Sequence, residues 1–444
     1  MSIVSKIEES LPEWQERVAR LKRDFPDLIV GQVSVDQILS GIRGVQIGVS
    51  DISYVDPYKG VRLRGYTVPE VLSLLPKAEG SEIPLAGGLY YLLLTGELPT
   101  LTDALEVEEE WHQRAELPEQ VYRVVGSMPA ETHPMTLFSQ ALLALQPASV
   151  FARKYSDGAV KPDYWRYYLE DSLNLSAKLP QLAALVYNWK YRNGEQARPD
   201  PHLDWSANFA AMIGKGENED YKDLMRLFFV LHSDHEGANV SAHISQLVAS
   251  ALSDVYLSSA AAMNGLAGPL HGLANQECLR WLLAMRDRFG RLPSEEELAQ
   301  AIREQLAQGK LIPGYGHAVL RVTDPRFTAQ LEFGRARGVD SEIFRLAEKV
   351  FEVAPPILAE TGKVRNPWPN VDAINGALQY HYGVTQWEFY TVLFGTSRIL
   401  GLTAHAVWAR ALMKPIERPK SLTTEILEEM AGIRTKAPAA SGAE

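Results

Sequence analysis

The stretch Glu388-Phe-Tyr-Thr-Val-Leu-Phe-Gly-Thr-Ser-Arg398-Ile-Leu-Gly-Leu-Thr-Ala-His-Ala-Val-Trp408 decides the fold class, because its apolar residues recur at helical spacing. Working outward, the same spacing runs through residues 6–22, 180–192, 221–230, 240–252 and 376–382. Ser294-Glu-Glu-Glu297 opens a further helix, with Ser294 as N-cap and Glu297 as its capping-box partner, continuing to about residue 308. One segment differs. Residues 45–68 alternate (Val45, Ile47, Val49, then Val61 and Leu63) around the turn signature Asp56-Pro57-Tyr58-Lys59-Gly60, which predicts a small β-hairpin. No repeated strand–helix–strand pattern and no fixed-period repeat is present. The expected fold is all-α with a small N-terminal hairpin, and a small, polar tail at 435–444 that is expected to be disordered.

Composition bounds the function. In 444 residues, 46% are hydrophobic and 22% charged, which supports a sizeable core and excludes a disordered chain. A net charge of −11 disfavours a generic nucleic-acid binder, since phosphate contacts need a basic surface. Cys278 is the only cysteine, so there is no intrachain disulfide framework or multi-cysteine metal site, and a reducing compartment fits. Two stretches lack charge, 132–152 and 255–276, but prolines and polar residues interrupt both. They predict buried helices rather than membrane spans. Acidic residues in the first helix argue against an organellar presequence. The expected location is the bacterial cytoplasm, or the mitochondrial matrix if a presequence has been removed.

Five of ten histidines fall between positions 232 and 317: His232, His235, His243, His271 and His317. On one continuous helix His232 and His243 would lie roughly 16 Å apart and could not share an ion. His232 and His235 could, but two ligands do not make a site, so no metal is expected. Asn264-Gly-Leu-Ala-Gly-Pro-Leu-His271 breaks one helix and, with Pro269 in a first turn, opens another. His271 at that N-terminus would stay neutral and could donate to an oxyanion; a helix-cap histidine without a substrate is the plain alternative. Ile312-Pro-Gly-Tyr-Gly-His317 puts a second histidine after glycines that let backbone approach a ligand, although a simple turn has the same signature. In Arg365-Asn-Pro-Trp-Pro-Asn370-Val-Asp372, the prolines stiffen a loop. Asp372 is there either an N-cap or a carboxylate placed to take a proton. Two histidines and one carboxylate are the groups an enolisation needs. Arg398, inside an apolar run, calls for an anion, from the protein or from a substrate.

These segments, with His232-Ser-Asp-His235-Glu-Gly-Ala-Asn239-Val-Ser-Ala-His243 and Glu417-Arg418-Pro-Lys-Ser421, resemble the citrate synthase family in its mitochondrial-type branch. Five motifs stand in register over about residues 7–427. The resemblance implies condensation of acetyl-CoA with oxaloacetate and water to citrate and CoA, with no cofactor. Asp372 would remove the methyl proton, His271 would hydrogen-bond the enol oxygen, and His317 would protonate the oxaloacetate carbonyl. His235, Asn239, Arg326 and Arg398 would form the oxaloacetate pocket, joined by Arg418 from the second subunit of a homodimer. Leu311, Ile312, Pro313, Gly314, Tyr315 and Gly316 would contact the adenine, with Arg43, Lys161, Arg365 and Asn370 also on the CoA side.

The implied domains are a large helical domain (1–274 and 379–434) and a small one (275–378) that closes over oxaloacetate. Three departures touch the pocket. Ala238 replaces a glycine, Lys161 an arginine and Arg365 a lysine; the last two keep the positive charge. The extra N-terminal domain of NADH-inhibited hexameric relatives is not recognisable. A 2-methylcitrate synthase using propionyl-CoA shares the apparatus, and one methylene discriminates by only ~1–3 kcal/mol. A non-catalytic scaffold and a metal-dependent hydrolase are the remaining alternatives.

Overall fold

A computed structural model describes residues 2–362 and 364–433; the tail expected to be disordered lies outside them. Of the described residues, 62% are helical and 3% lie in strands. At its centre, the helices Tyr164–Tyr191 and Tyr390–Ala411 pack along each other. The second carries the apolar residues of the 388–408 stretch, and nearly every residue in it is buried. Apolar residues surround it on all sides because neighbours cover it all round. The first runs further than its spacing suggested, because Pro180 sits inside it and not at its start.

The capping box at Ser294 forms as expected and opens Glu295–Ala307. The two charge-free stretches become the buried helices Pro134–Leu145 and Val255–Leu266. Among the described residues, no single helix is long and apolar enough to cross a membrane; one pair bent by 42° passes on composition alone. The hairpin forms between β1 (Ser53–Asp56) and β2 (Gly60–Leu63), in antiparallel register across the expected turn. Two details differ. A third strand, β3 (Tyr66–Thr67), pairs with β2, and residues 45–49 form no strand. Val49 and Ile47 stay exposed, so their alternation has no buried face to serve.

The helices Ala274–Phe289, Glu295–Ala307, Pro325–Ala336, Glu342–Glu360 and Asp372–His381 pack on one another. Arg337 joins this group to the remainder through Asp220 (3.1 Å) and Asp223 (2.6 Å).

Candidate active site

The chain does not continue as one helix from His232 to His243. Glu219–His232 ends, residues 233–239 form a loop, and Val240–Ser250 begins with Asn239 as N-cap. His232 is a core residue: its ring stacks on Phe228 at 4.0 Å and its Nδ1 lies 2.9 Å from the Phe228 carbonyl. His243 sits apart, 3.6 Å from Glu417. Among the described residues, no three His, Cys, Asp or Glu side chains group to hold an ion.

His271 lies in a turn, three residues before its helix starts at Ala274, so the expected helix N-terminus is not where it stands. Burial and then the charge of Arg398 keep its ring neutral, with a pKa lowered to about 4. The Ser241 backbone N–H donates to its Nε2 at 3.2 Å, and Ser241 Oγ lies 3.0 Å from the same atom. A nitrogen that accepts carries no proton, so Nδ1–H is the free donor. His317 is set the other way round. Val319 and Leu320 N–H both donate to its Nδ1 at 3.0 Å, leaving Nε2–H as its donor. Burial and then Arg326 lower its pKa to about 4. Two neutral histidines are thus held in opposite tautomers by backbone amides.

Asp372 is the first residue of Asp372–His381, and it is not the cap. Asn370 Oδ1 accepts the Asp372 N–H at 3.0 Å, so the Asp372 carboxylate is not consumed in capping. Burial raises its pKa to about 6, against the pull of Arg326. The loop carrying it is knitted to the loop before His317. Asn370 N–H donates to Gly314 C=O (2.9 Å), Asn370 Nδ2 to Gly316 C=O (3.1 Å), and Gly316 N–H to Trp368 C=O (3.2 Å). Gly314 has φ +79°, and a Cβ there would stand 2.8 Å from Ala373 Cα, so only glycine fits. Asp372 and His317 therefore sit on one rigid unit.

Arg326 and Arg398 stand beside them. Arg326 is buried and paired with Asp324, at 2.7 Å from Nη2. Arg398 is 1% exposed and, among the described residues, has no carboxylate at ion-pair distance. Its Nε donates to His232 C=O (3.2 Å), and its Nη1 reaches Asn239 Oδ1 and Ser241 Oγ, both at 3.4 Å. The guanidinium covers the Phe394 ring at 4.7 Å. Burial pulls its pKa down to about 10. His235 lies 5.4 Å from His317, ring to ring, and burial with Arg326 and His317 holds it well below its ordinary pKa. Asn239 Nδ2 donates to His235 C=O (2.8 Å) and Glu236 C=O (2.9 Å), so it shapes the wall that holds His235.

The structure therefore gathers His235, Asn239, His271, His317, Arg326, Asp372 and Arg398 into one cluster. Tyr315 and Gly316 border it, bridged to Pro369 and Trp368. Ile312 is 2% exposed and can offer a ligand only its backbone, whereas Leu311 is 81% exposed. Arg43, Lys161, Arg365 and Arg418 are exposed. Sequence reasoning missed Ser241, Asp324 and Phe394. Asp324 had a signal, as a cap residue ahead of Pro325; Ser241 had none beyond its place in the His235 motif.

The family model described as "Citrate synthase, C-terminal domain" matches residues 41–420. A probable mitochondrial citrate synthase of Glossina morsitans morsitans is 50% identical over 421 residues, covering 95% of this chain and 90% of that protein. The mitochondrial citrate synthase of Xiphias gladius is 48% identical over 426 residues, covering 96% and 91%. The crystal structure of citrate synthase from Pyrobaculum aerophilum superposes with a TM-score of 0.76 at 27% identity, covering 89% of this chain and 95% of that one.

Proposed function

The chain belongs to the citrate synthase family, and from that premise we infer that this cluster condenses acetyl-CoA with oxaloacetate and water to give citrate and CoA. The observation that carries this reading is Arg398: a buried cation with no carboxylate at ion-pair distance among the described residues, beside Arg326 and surrounded by titratable groups. An unpaired buried charge is disfavoured by several kcal/mol, which a substrate carboxylate offsets. The guanidinium fork suits such an anion.

The Asp372 carboxylate takes a methyl proton from acetyl-CoA, and Nδ1–H of His271 stabilises the oxygen on which the enolate charge develops. The enol carbon attacks the oxaloacetate carbonyl, whose oxygen receives the proton of His317 Nε2. Water then hydrolyses the citryl thioester. A pKa of about 6 leaves Asp372 ionised at neutral pH yet more basic than an ordinary carboxylate. No step calls for a cofactor. The named relatives favour acetyl-CoA over propionyl-CoA as substrate, and their mitochondrial names support a matrix location.

The active unit is a homodimer. The helix Thr424–Met430 buries none of its residues, and Ile416, Leu422, Ile426 and Met430 are exposed around it. Leu28, Ile29, Val30 and Leu39 are exposed on the N-terminal arm that carries Arg43. Apolar arms of this extent fit a partner subunit. Arg418 lies on the C-terminal arm and reaches the partner's oxaloacetate. The five-helix group at 275–378 is the domain that closes, and closure excludes water from the thioester.

The test is thiol release from acetyl-CoA with and without oxaloacetate. Release that depends on oxaloacetate and yields citrate is expected. Release independent of oxaloacetate, or none with both substrates, would overturn the reading.

A further inference from the structure

Behind His235 lies a second carboxylate–histidine pair that the condensation does not use. Asp234 is 1% exposed and His405 is 4% exposed. Asp234 Oδ2 accepts from His405 Nε2 at 2.8 Å and from Ser53 Oγ at 2.6 Å. His405 Nδ1 lies 2.8 Å from Ser50 Oγ. Ser53 Oγ also accepts the Glu236 N–H at 2.7 Å. Glu236 has φ +60°, a left-handed conformation that a glutamate holds only when its surroundings impose it.

The other side of this loop is gripped by the helix Tyr390–Ala411. Arg398 Nε donates to the carbonyl of His232, Gly401 N–H to the carbonyl of Ser233 at 3.1 Å, and His405 meets the carboxylate of Asp234. Those three helix positions, spaced i, i+3 and i+7, share one face. Gly401 makes the approach possible. A Cβ there would sit 2.5 Å from Ser233 O and 2.7 Å from Asp234 Cβ. Burial by itself would raise the Asp234 carboxyl; His405, Arg398 and Ser53 outweigh it, and the group stays ionised. Asp234 is also the charge that most favours the Arg398 cation.

We propose that Asp234 and His405 are positioning residues for oxaloacetate: the pair fixes the backbone that carries His235 and supplies the resident negative charge that holds the unpaired Arg398 in place between turnovers. This rests on the reading of the cluster as an oxaloacetate site. Such a pair acts on one substrate only, which separates it from a general structural prop.

The test compares Asp234→Asn, His405→Leu and His405→Gln with the parent enzyme, by kinetics and by calorimetric titration with oxaloacetate. Asp234→Asn and His405→Leu are expected to raise Kd and KM for oxaloacetate at least about tenfold, the scale of one lost charge-assisted hydrogen bond, with KM for acetyl-CoA unchanged. His405→Gln keeps a donor toward Asp234 and is expected to recover most of the affinity. The double variant Asp234→Asn/His405→Leu is expected to be no worse than the worse single one, because both break one unit. If either single variant fails to fold, Ser53→Ala removes a bond to the same carboxylate and is expected to raise KM for oxaloacetate alone. Unchanged oxaloacetate affinity in folded variants, or equal loss for both substrates, would overturn the proposal. Parent enzyme that does not bind oxaloacetate at all would instead sink the functional reading beneath it.

Discussion

Replacing Asp372 by asparagine removes a charge that its surroundings disfavour, and the effect on stability follows from the pKa. Burial lifts the carboxyl from 3.8 to about 6. That is about two units, and at ~1.36 kcal/mol per unit the ionised form is disfavoured in the folded state by up to about 3 kcal/mol. The folded state holds the proton more tightly than the unfolded one. Below pH 3.8 both are protonated and the penalty is absent; it grows as pH rises through about 6 and is complete above that. Asparagine never ionises. Asp372→Asn is therefore expected to be more stable than the parent by up to about 3 kcal/mol at pH 8, with the advantage fading toward pH 4. The assay is urea unfolding of both proteins, free of ligand, across that range. Turnover is expected to fall by at least ~10²-fold while oxaloacetate still binds, and parent turnover should drop as acid protonates the base below about pH 6. A stability difference that does not change between pH 4 and 8 would refute the raised carboxyl pKa. Near-normal turnover in the variant would refute the base.

Two further expectations follow from the same geometry. Labelled imidazole NMR should show His271 and His317 neutral down to about pH 5, with their protons on Nδ1 and Nε2 respectively, in line with pKa values near 4; an imidazolium at either ring near pH 7 would contradict the assignment. Mixing Asp372→Asn with Arg418→Ala subunits, each nearly inactive alone, should restore roughly a quarter of the sites if Arg418 acts across a two-fold axis, because half the dimers are mixed and one site in each is intact. Verified subunit exchange without regained activity would place Arg418 in its own subunit.

Much of the site was legible in the sequence because each key residue sits in a local signal. His317 follows two glycines that here take positive φ, and Asp372 closes a loop stiffened by prolines. The helices were legible for the same reason: spacing and capping boxes are local, and Ser294–Glu297 forms as read. Elsewhere local signals misled. Pro269 pointed to a helix start at His271, but the chain makes a turn there, where His271 N–H bonds Gly268 C=O and Gly272 N–H bonds Leu266 C=O, before the helix begins. The neutrality expected of His271 holds for a different reason, since burial and Arg398 produce it.

By itself the sequence determined an all-helical chain, a hairpin at Asp56–Gly60 and a set of acid–base and cationic residues in motif order. Spacing along the chain carries that information because helices and turns are built from near neighbours. Only the tertiary structure decided which atoms those residues offer. Ser241, 30 residues from His271, sets one tautomer, and two amides of a turn set the other. Asp324 takes Arg326, while Arg398 is left without a carboxylate at ion-pair distance among the described residues. Protonation and charge pairing depend on burial and on neighbours distant in sequence, and no periodicity records those.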